Sequence, residues 1–149
     1  MEDQLDRIDC NIVAALAVDG RLSMAALAAK VGLSKTPVQA RLRRLEQDGY
    51  IRGYQAIIDR DKMGEGHVAF VQVKLLDTRS DALEAFNRAV RLVPEIEQCH
   101  MIASSFDYLL KVRTRDIAAY RRILGERLSA LPHVAQTSTF VAMETVKDR

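Results

Sequence analysis

The stretch Leu27-Ala28-Ala29-Lys30-Val31-Gly32-Leu33-Ser34-Lys35-Thr36-Pro37-Val38-Gln39-Ala40-Arg41-Leu42-Arg43-Arg44-Leu45 holds two amphipathic helical patterns with a short break between them. Leu27 and Val31 form the inward face of the first, and Ser23 is its natural N-cap. Gly32 follows, where a left-handed residue closes a helix. Ser34 is the next N-cap candidate, and Pro37 falls in the first turn, where its missing N–H costs little. Val38, Leu42 and Leu45 then lie at i, i+4 and i+7 and face inward, while Lys35, Gln39 and Arg43 recur every fourth residue as a polar ridge. Upstream, Leu5, Ile8, Ile12 and Leu16 predict a helix over 5–18, stopped by Asp19-Gly20. Downstream, Gly49 ends the third helix, and Tyr50 to Ile58 reads as a short hairpin or wing turning near Gly53.

Three helices with a tight turn between the second and third match helix-turn-helix geometry, in which the third helix enters the major groove of DNA. Its leading residues would be Ser34, Lys35, Thr36 and Gln39. Gln39 suits a bidentate pair with adenine, and Lys35 suits guanine O6 or N7. Arg41, Arg43 and Arg44 lie further along the helix; Arg43 and Arg44 are placed for phosphates, as is Arg52 in the wing. Charge supports this. The whole chain carries a formal +2, yet residues 30–52 hold six cations against Glu46 and Asp48, a local +4. The alternative is a small bundle whose basic helix meets an acidic protein partner.

The period changes in the second half. Asp59 to Gly66 is charged, holds two glycines and reads as a hinge (59–66) between a first domain over 1–58 and a second over 67–149. Val68–Leu75 reads as a buried strand and Asp81–Leu92 as a helix with Leu83, Phe86 and Val90 inward. Ile96–Ala103 and Asp107–Val112 read as strands joined through Ser104-Ser105-Phe106. Ile117–Leu131 reads as a helix with Ile117, Leu124, Leu128 and Leu131 inward, and His133–Val146 as a last strand. The order is β-α-β-β-α-β, a ferredoxin-like α+β domain with helices on one sheet face. The other face is left open and invites self-association.

Composition bounds the rest. The 149 residues are 48% hydrophobic and 28% charged, the balance of a soluble globular protein. No apolar run approaches the roughly 18 residues of a membrane span, and nothing at the start resembles a secretion signal. The expected setting is the cytoplasm, with Cys10 and Cys99 reduced. Cys99 and His100 are adjacent on a strand and point to opposite faces, and His67 and His133 are isolated, so no metal site is expected. No nucleophile elbow, phosphate loop or dinucleotide fingerprint is present, and no enzyme is expected.

The chain resembles the Lrp/AsnC family of feast/famine transcriptional regulators. Leu5-Asp6-Arg7-Ile8-Asp9, Asp19-Gly20-Arg21, Thr36-Pro37-Val38 and Gly49-Tyr50-Ile51 look like hallmark segments of that family's DNA-binding half, as does the stretch from Leu27 to Ser34. Glu97-Gln98-Cys99-His100, Phe106-Asp107-Tyr108-Leu109-Leu110-Lys111 and Thr139-Phe140-Val141-Ala142-Met143-Glu144 look like the leucine-responsive branch. The resemblance runs from about Leu5 to Lys147. It implies that the second half is the amino-acid-binding regulatory domain called RAM. It implies double-stranded DNA as partner, homodimers that assemble to tetramers or octamers, and no cofactor. It implies an amino-acid effector, leucine or proline among the possibilities, bound between dimers near the loop joining the second and third strands. That loop usually reads Gly-x-x-Asp, and here it reads Ser104-Ser105-Phe106-Asp107. Asp107 can accept from an α-ammonium group. Ser104 penalises positive φ but offers a hydroxyl, so effector binding is weakened, lost or retuned. Thr137 and Thr139 share one face of the last strand and offer two more hydroxyls.

Overall fold

The computed structural model describes residues 5–148, which divide between Ile58 and Asp59 into two compact units. The first holds α1 (Arg7–Val18), α2 (Met24–Val31) and α3 (Lys35–Gln47). Asp6 and Asp9 form a reciprocal capping box at the start of α1. The Ser23 hydroxyl accepts from the Ala26 N–H at 3.1 Å, and Gly32 closes α2 at φ 72°. Ile12, Leu27, Val38 and Leu45 are fully buried, with Leu5, Ile8, Leu16 and Leu42 packed around them. The predicted stripes of all three helices therefore meet in one core.

The wing does not form. Residues 50–58 make no strand pairing among the described residues. Gly49 at φ 78° reverses the chain, the Ile51 N–H returns to the Leu45 carbonyl at 3.0 Å, and the Ile51 side chain packs on the helices. That leaves too few free residues before Gly53 for one arm of a hairpin. The Tyr54 hydroxyl instead donates to Glu46 Oε1 at 2.7 Å.

The second unit is β1 (His67–Leu75), α4 (Ser80–Val90), β2 (Ile96–Met101), β3 (Tyr108–Thr114), α5 (Ile117–Ile123) and β4 (Val134–Val141). The antiparallel sheet has the order β2-β3-β1-β4. Ala69, Val71, Val73 and Leu75 of β1 and Tyr108, Leu110 and Val112 of β3 point to the helices, where Phe86, Val90, Tyr120 and Leu128 complete the core. The ferredoxin-like expectation thus holds, with three local differences. The last helix is shorter than predicted: α5 passes at Leu124 into a π-helical turn ending at Leu128, closed by the Ser129 N–H on the Leu124 carbonyl at 2.9 Å. Ile117 is exposed, and Tyr120, one turn on, is the first residue of α5 in the core. The last strand stops at Val141, because Val141 pairs with Ala69 and the Ala142 N–H takes the Val68 carbonyl near the start of β1.

Candidate functional site

The polar residues singled out in the sequence lie mainly in two places: the exposed face of α3, and the loop before β3 with the strands beside it.

On α3, Ser34, Lys35, Thr36, Gln39 and Arg43 are all exposed, and none has a side-chain partner among the described residues. Ser34 occupies the N-cap position, but its hydroxyl makes no capping bond, unlike that of Ser23. The helix therefore begins with unbonded N–H groups, a free hydroxyl and a positive dipole end, which favours a negative ligand. Thirteen residues make α3 about 20 Å long, the scale of a major-groove reading element. Arg52 is likewise exposed and has no side-chain partner among the described residues.

Arg41 and Arg44 are placed differently. Asp9 is 1% exposed and receives both guanidiniums, Arg41 Nη1 at 2.8 Å and Arg44 Nη2 in a very short contact. Arg41 also reaches Asp6 at 2.6 Å. The backbone N–H of Asp9, then Arg41, holds the Asp6 carboxyl below the usual carboxylate range. The same carboxylates raise the Arg41 guanidinium, so it stays charged. These two arginines clamp α3 to α1. Two of the expected basic contacts thus have an internal role, because the hallmark aspartates of α1 face them across the bundle. Sequence reading missed Asp6 and Asp9 as part of this machinery. The signal was present as two carboxylates three residues apart on the helix facing the arginines. Tyr54 adds a lesser tie: partial burial, then Glu46, pushes its hydroxyl up to about 12.

The second arrangement is more dispersed. Asp107 Oδ2 accepts the Leu75 N–H at 2.7 Å, and its Oδ1 lies 3.7 Å from Lys74 Nζ. Asp107 therefore closes the end of the β1–β3 pair, with its carboxylate on the Lys74 side of the sheet. Thr137 pairs with Val73 and Thr139 with Val71, which puts both threonines on the helix-facing side. Thr139 Oγ1 is bonded there to the Tyr120 hydroxyl at 2.5 Å. The structure thus does not bring the two threonines to Asp107; the sheet lies between them. Ser104 sits in the connecting loop outside the left-handed region, since among the described residues His133 is the non-glycine with positive φ. The conformational penalty expected for serine does not arise.

The open sheet face is mixed in character. Phe70 and Phe140 are direct cross-strand partners and are 37% and 54% exposed. Beside them Lys111 and Arg113 share Glu97 and Asp148 in a four-membered ion network. Lys111, then Arg113, holds the Asp148 carboxyl low.

Residues 5–52 match a family model described as winged helix-turn-helix DNA-binding, and residues 68–149 match one described as Lrp/AsnC ligand binding domain. The chain is 58% identical over 146 residues to a proline dehydrogenase transcriptional activator of Rhizobium radiobacter, covering 98% of this chain and 94% of the relative. It is 47% identical over 143 residues to the leucine-responsive regulatory protein of Escherichia coli, covering 96% and 87%. Its fold matches the crystal structure of a transcriptional regulator from Neisseria meningitidis in complex with L-Met, with a TM-score of 0.89, 30% identity, and coverage of 97% and 94%. An AsnC family regulator from Agrobacterium tumefaciens matches with a TM-score of 0.90 at 33% identity, covering 97% and 94%.

Proposed function

The chain belongs to the Lrp/AsnC family of DNA-binding transcriptional regulators, and from that premise we propose which of its surfaces read DNA and which ligand governs it. Ser34, Lys35, Thr36 and Gln39 meet base edges in the major groove, with Gln39 on an adenine and Lys35 on a guanine. Arg43 and Arg52 take phosphates. Arg41 and Arg44 act mainly by fixing the attitude of α3. The observation that carries this reading is the unpartnered polar ridge on α3, beside two arginines already engaged by Asp9.

The open sheet face supports pairing with a second copy, through Phe70 and Phe140. A dimer presents two recognition helices to half-sites about one helical turn apart. Tetramers and octamers built from such dimers would engage several sites. The effector is an amino acid held near Asp107, whose carboxylate takes the α-ammonium group while Ser104 offers a hydroxyl to the carboxylate. The neisserial neighbour was solved with L-Met, which supports a free amino acid as the ligand class. The rhizobial relative is a proline dehydrogenase transcriptional activator, which supports genes of amino-acid catabolism as targets and proline as the first effector to try. The effector can shift the assemblies only as far as it binds one of them better.

The test is fluorescence anisotropy of a labelled duplex from upstream of a proline dehydrogenase gene, against a scrambled duplex, with each amino acid added in turn. Preference for the native duplex, modulated by one amino acid, is expected. Equal affinity for both duplexes overturns sequence-specific reading and favours an acidic protein as the partner of the basic helix.

A further inference from the structure

At the end of the sheet remote from Asp107 lies an open cleft of about 670 Å³, within the range that encloses small ligands. The seven residues of β3 separate the two places by roughly 23 Å, so they are distinct. The lip of the cleft is the turn before β1. Gly64 takes φ 75° there, and the Glu65 N–H bonds the Arg60 carbonyl at 2.9 Å. Gly66 leaves room for the Asp61 carboxylate, which would have to swing aside to admit a Cβ there. The floor is low because α5 presents Ala118 and Ala119 to it.

Four arginines and four carboxylates line the cleft, so its formal charge cancels. Its free valences do not. Every carboxylate is engaged within the fold. Glu65 takes Arg60 at 2.8 Å and Glu97 takes Arg113 at 2.6 Å. Glu95 receives Arg127 on both oxygens, at 2.8 and 3.0 Å. Asp116 caps α5 by accepting the Ala119 N–H at 2.7 Å. Arg115, at the end of β3, and Arg122, on α5, have no partner among the described residues. What the cleft offers a solute is therefore two unpartnered guanidinium forks, while each carboxylate already has at least one partner within the fold. The planar guanidinium fork matches carboxylate and phosphate oxygens two at a time.

We propose that this cleft binds a small dianion, a dicarboxylate or a phosphate, held by Arg115 and Arg122. The site is separate from the amino-acid site and does not depend on it. A dianion seated between β3 and α5 would add a second input to the same domain.

The test is titration calorimetry of the full chain with succinate and with inorganic phosphate, each against sodium chloride at equal ionic strength. Saturable binding of at least one is expected. The variant Arg115→Ala/Arg122→Ala should weaken it roughly tenfold or more, as loss of charge-assisted hydrogen bonds does. Both side chains are exposed and unpartnered, so the variant should melt like the parent. Arg115→Lys/Arg122→Lys keeps the charge but not the forks and should bind with intermediate strength. Because the basic helix α3 also attracts anions, Lys35→Ala/Arg43→Ala serves as the control and should bind like the parent. Three results overturn the proposal: no saturable binding by the parent, binding that survives Arg115→Ala/Arg122→Ala, or binding that is lost in Lys35→Ala/Arg43→Ala. Succinate binding without phosphate binding would assign the site to dicarboxylates, and the reverse to phosphates.

Discussion

Lys35, Gln39 and Arg43 stand on an exposed ridge with no internal partner among the described residues, whereas Asp107 and Thr139 are both hydrogen-bonded within the fold. These two sites thus present their polar groups in opposite ways. A free donor gives up only water when it meets a phosphate or a base. A carboxylate already bonded to a backbone N–H and near a lysine must share or exchange those contacts to take a ligand. The first arrangement suits a surface that is always ready and is tuned by salt. The second suits a sensor, whose occupancy alters contacts at the end of a strand pair. The same contrast occurs within α3, where Arg41 and Arg44 are held by Asp9 and Arg43, on the same helix, is not.

The contrast within α3 breaks most directly at Asp9. Asp9→Ala removes the buried carboxylate on which two guanidiniums converge, and it also removes half of the capping box. Loss of one partner of a buried pair typically costs 3–5 kcal/mol, and the low end, about 3 kcal/mol, is expected because both arginines can regain water. Urea denaturation would read this as a lower midpoint at unchanged slope. A cost below about 1 kcal/mol would mean that Arg41 and Arg44 are not structural and belong with the DNA contacts. The acid limb has a definite sign. Asp6 and Asp148 titrate below their ordinary value in the fold. Their contribution is therefore complete above the usual carboxylate pKa and is lost as the pH falls through the lowered one.

Next in size come the free groups of α3. Gln39→Ala should relax preference at one base position by about 1–3 kcal/mol of discrimination while leaving the fold unchanged. A smaller effect on any one duplex is expected of Arg43→Ala. It should weaken native and scrambled duplexes alike and reduce the slope of log K against log salt by about 1. Arg44→Ala sharpens the comparison, since it should lower the denaturation midpoint more than it alters the salt slope. Equal salt slopes for Arg43→Ala and the parent would remove Arg43 from the phosphate contacts.

What was legible in the sequence was local. Ser23, Gly32 and Gly49 mark helix ends through their own backbone preferences, and the stripes through Ile12, Leu27, Val38 and Leu45 needed only helical periodicity. The β-α-β-β-α-β order followed from alternating apolar patterns in the same way. What was hidden depended on partners far along the chain. Arg44 meets Asp9 across 35 residues, and a basic residue on a helix looks the same whether it faces a phosphate or a buried carboxylate. Period-two alternation put Thr137 and Thr139 on one face, but which face followed only from their register with Val73 and Val71. The hairpin expected after Gly49 failed because packing of Ile51 on the helices uses the residues that would have formed its first arm. The end of α5 was obscured because a π-helical turn keeps Leu128 in the core with a spacing that resembles an ordinary helix.

The smallest expected change in stability tests the sensor side of the comparison. Asp107→Asn keeps an oxygen for the Leu75 N–H but loses the negative charge near Lys74. That ion pair is loose and partly exposed, so the variant should stay within about 1 kcal/mol of the parent. Its response to the effector should nonetheless be lost, because an amide does not attract an ammonium group as a carboxylate does. In the parent, an amino acid at 100 times its dissociation constant adds about 2.7 kcal/mol to the state that binds it, a rise easily read in a thermal melt. Asp107→Ala, which also strips the oxygen from Leu75, should lower the melting temperature before any ligand is added. The pair of variants therefore separates the strand-end bond of Asp107 from its proposed role in holding the effector. If Asp107→Asn still answers to the effector, Asp107 is a strand-end cap and nothing more, and the ligand is held by other groups of the same domain.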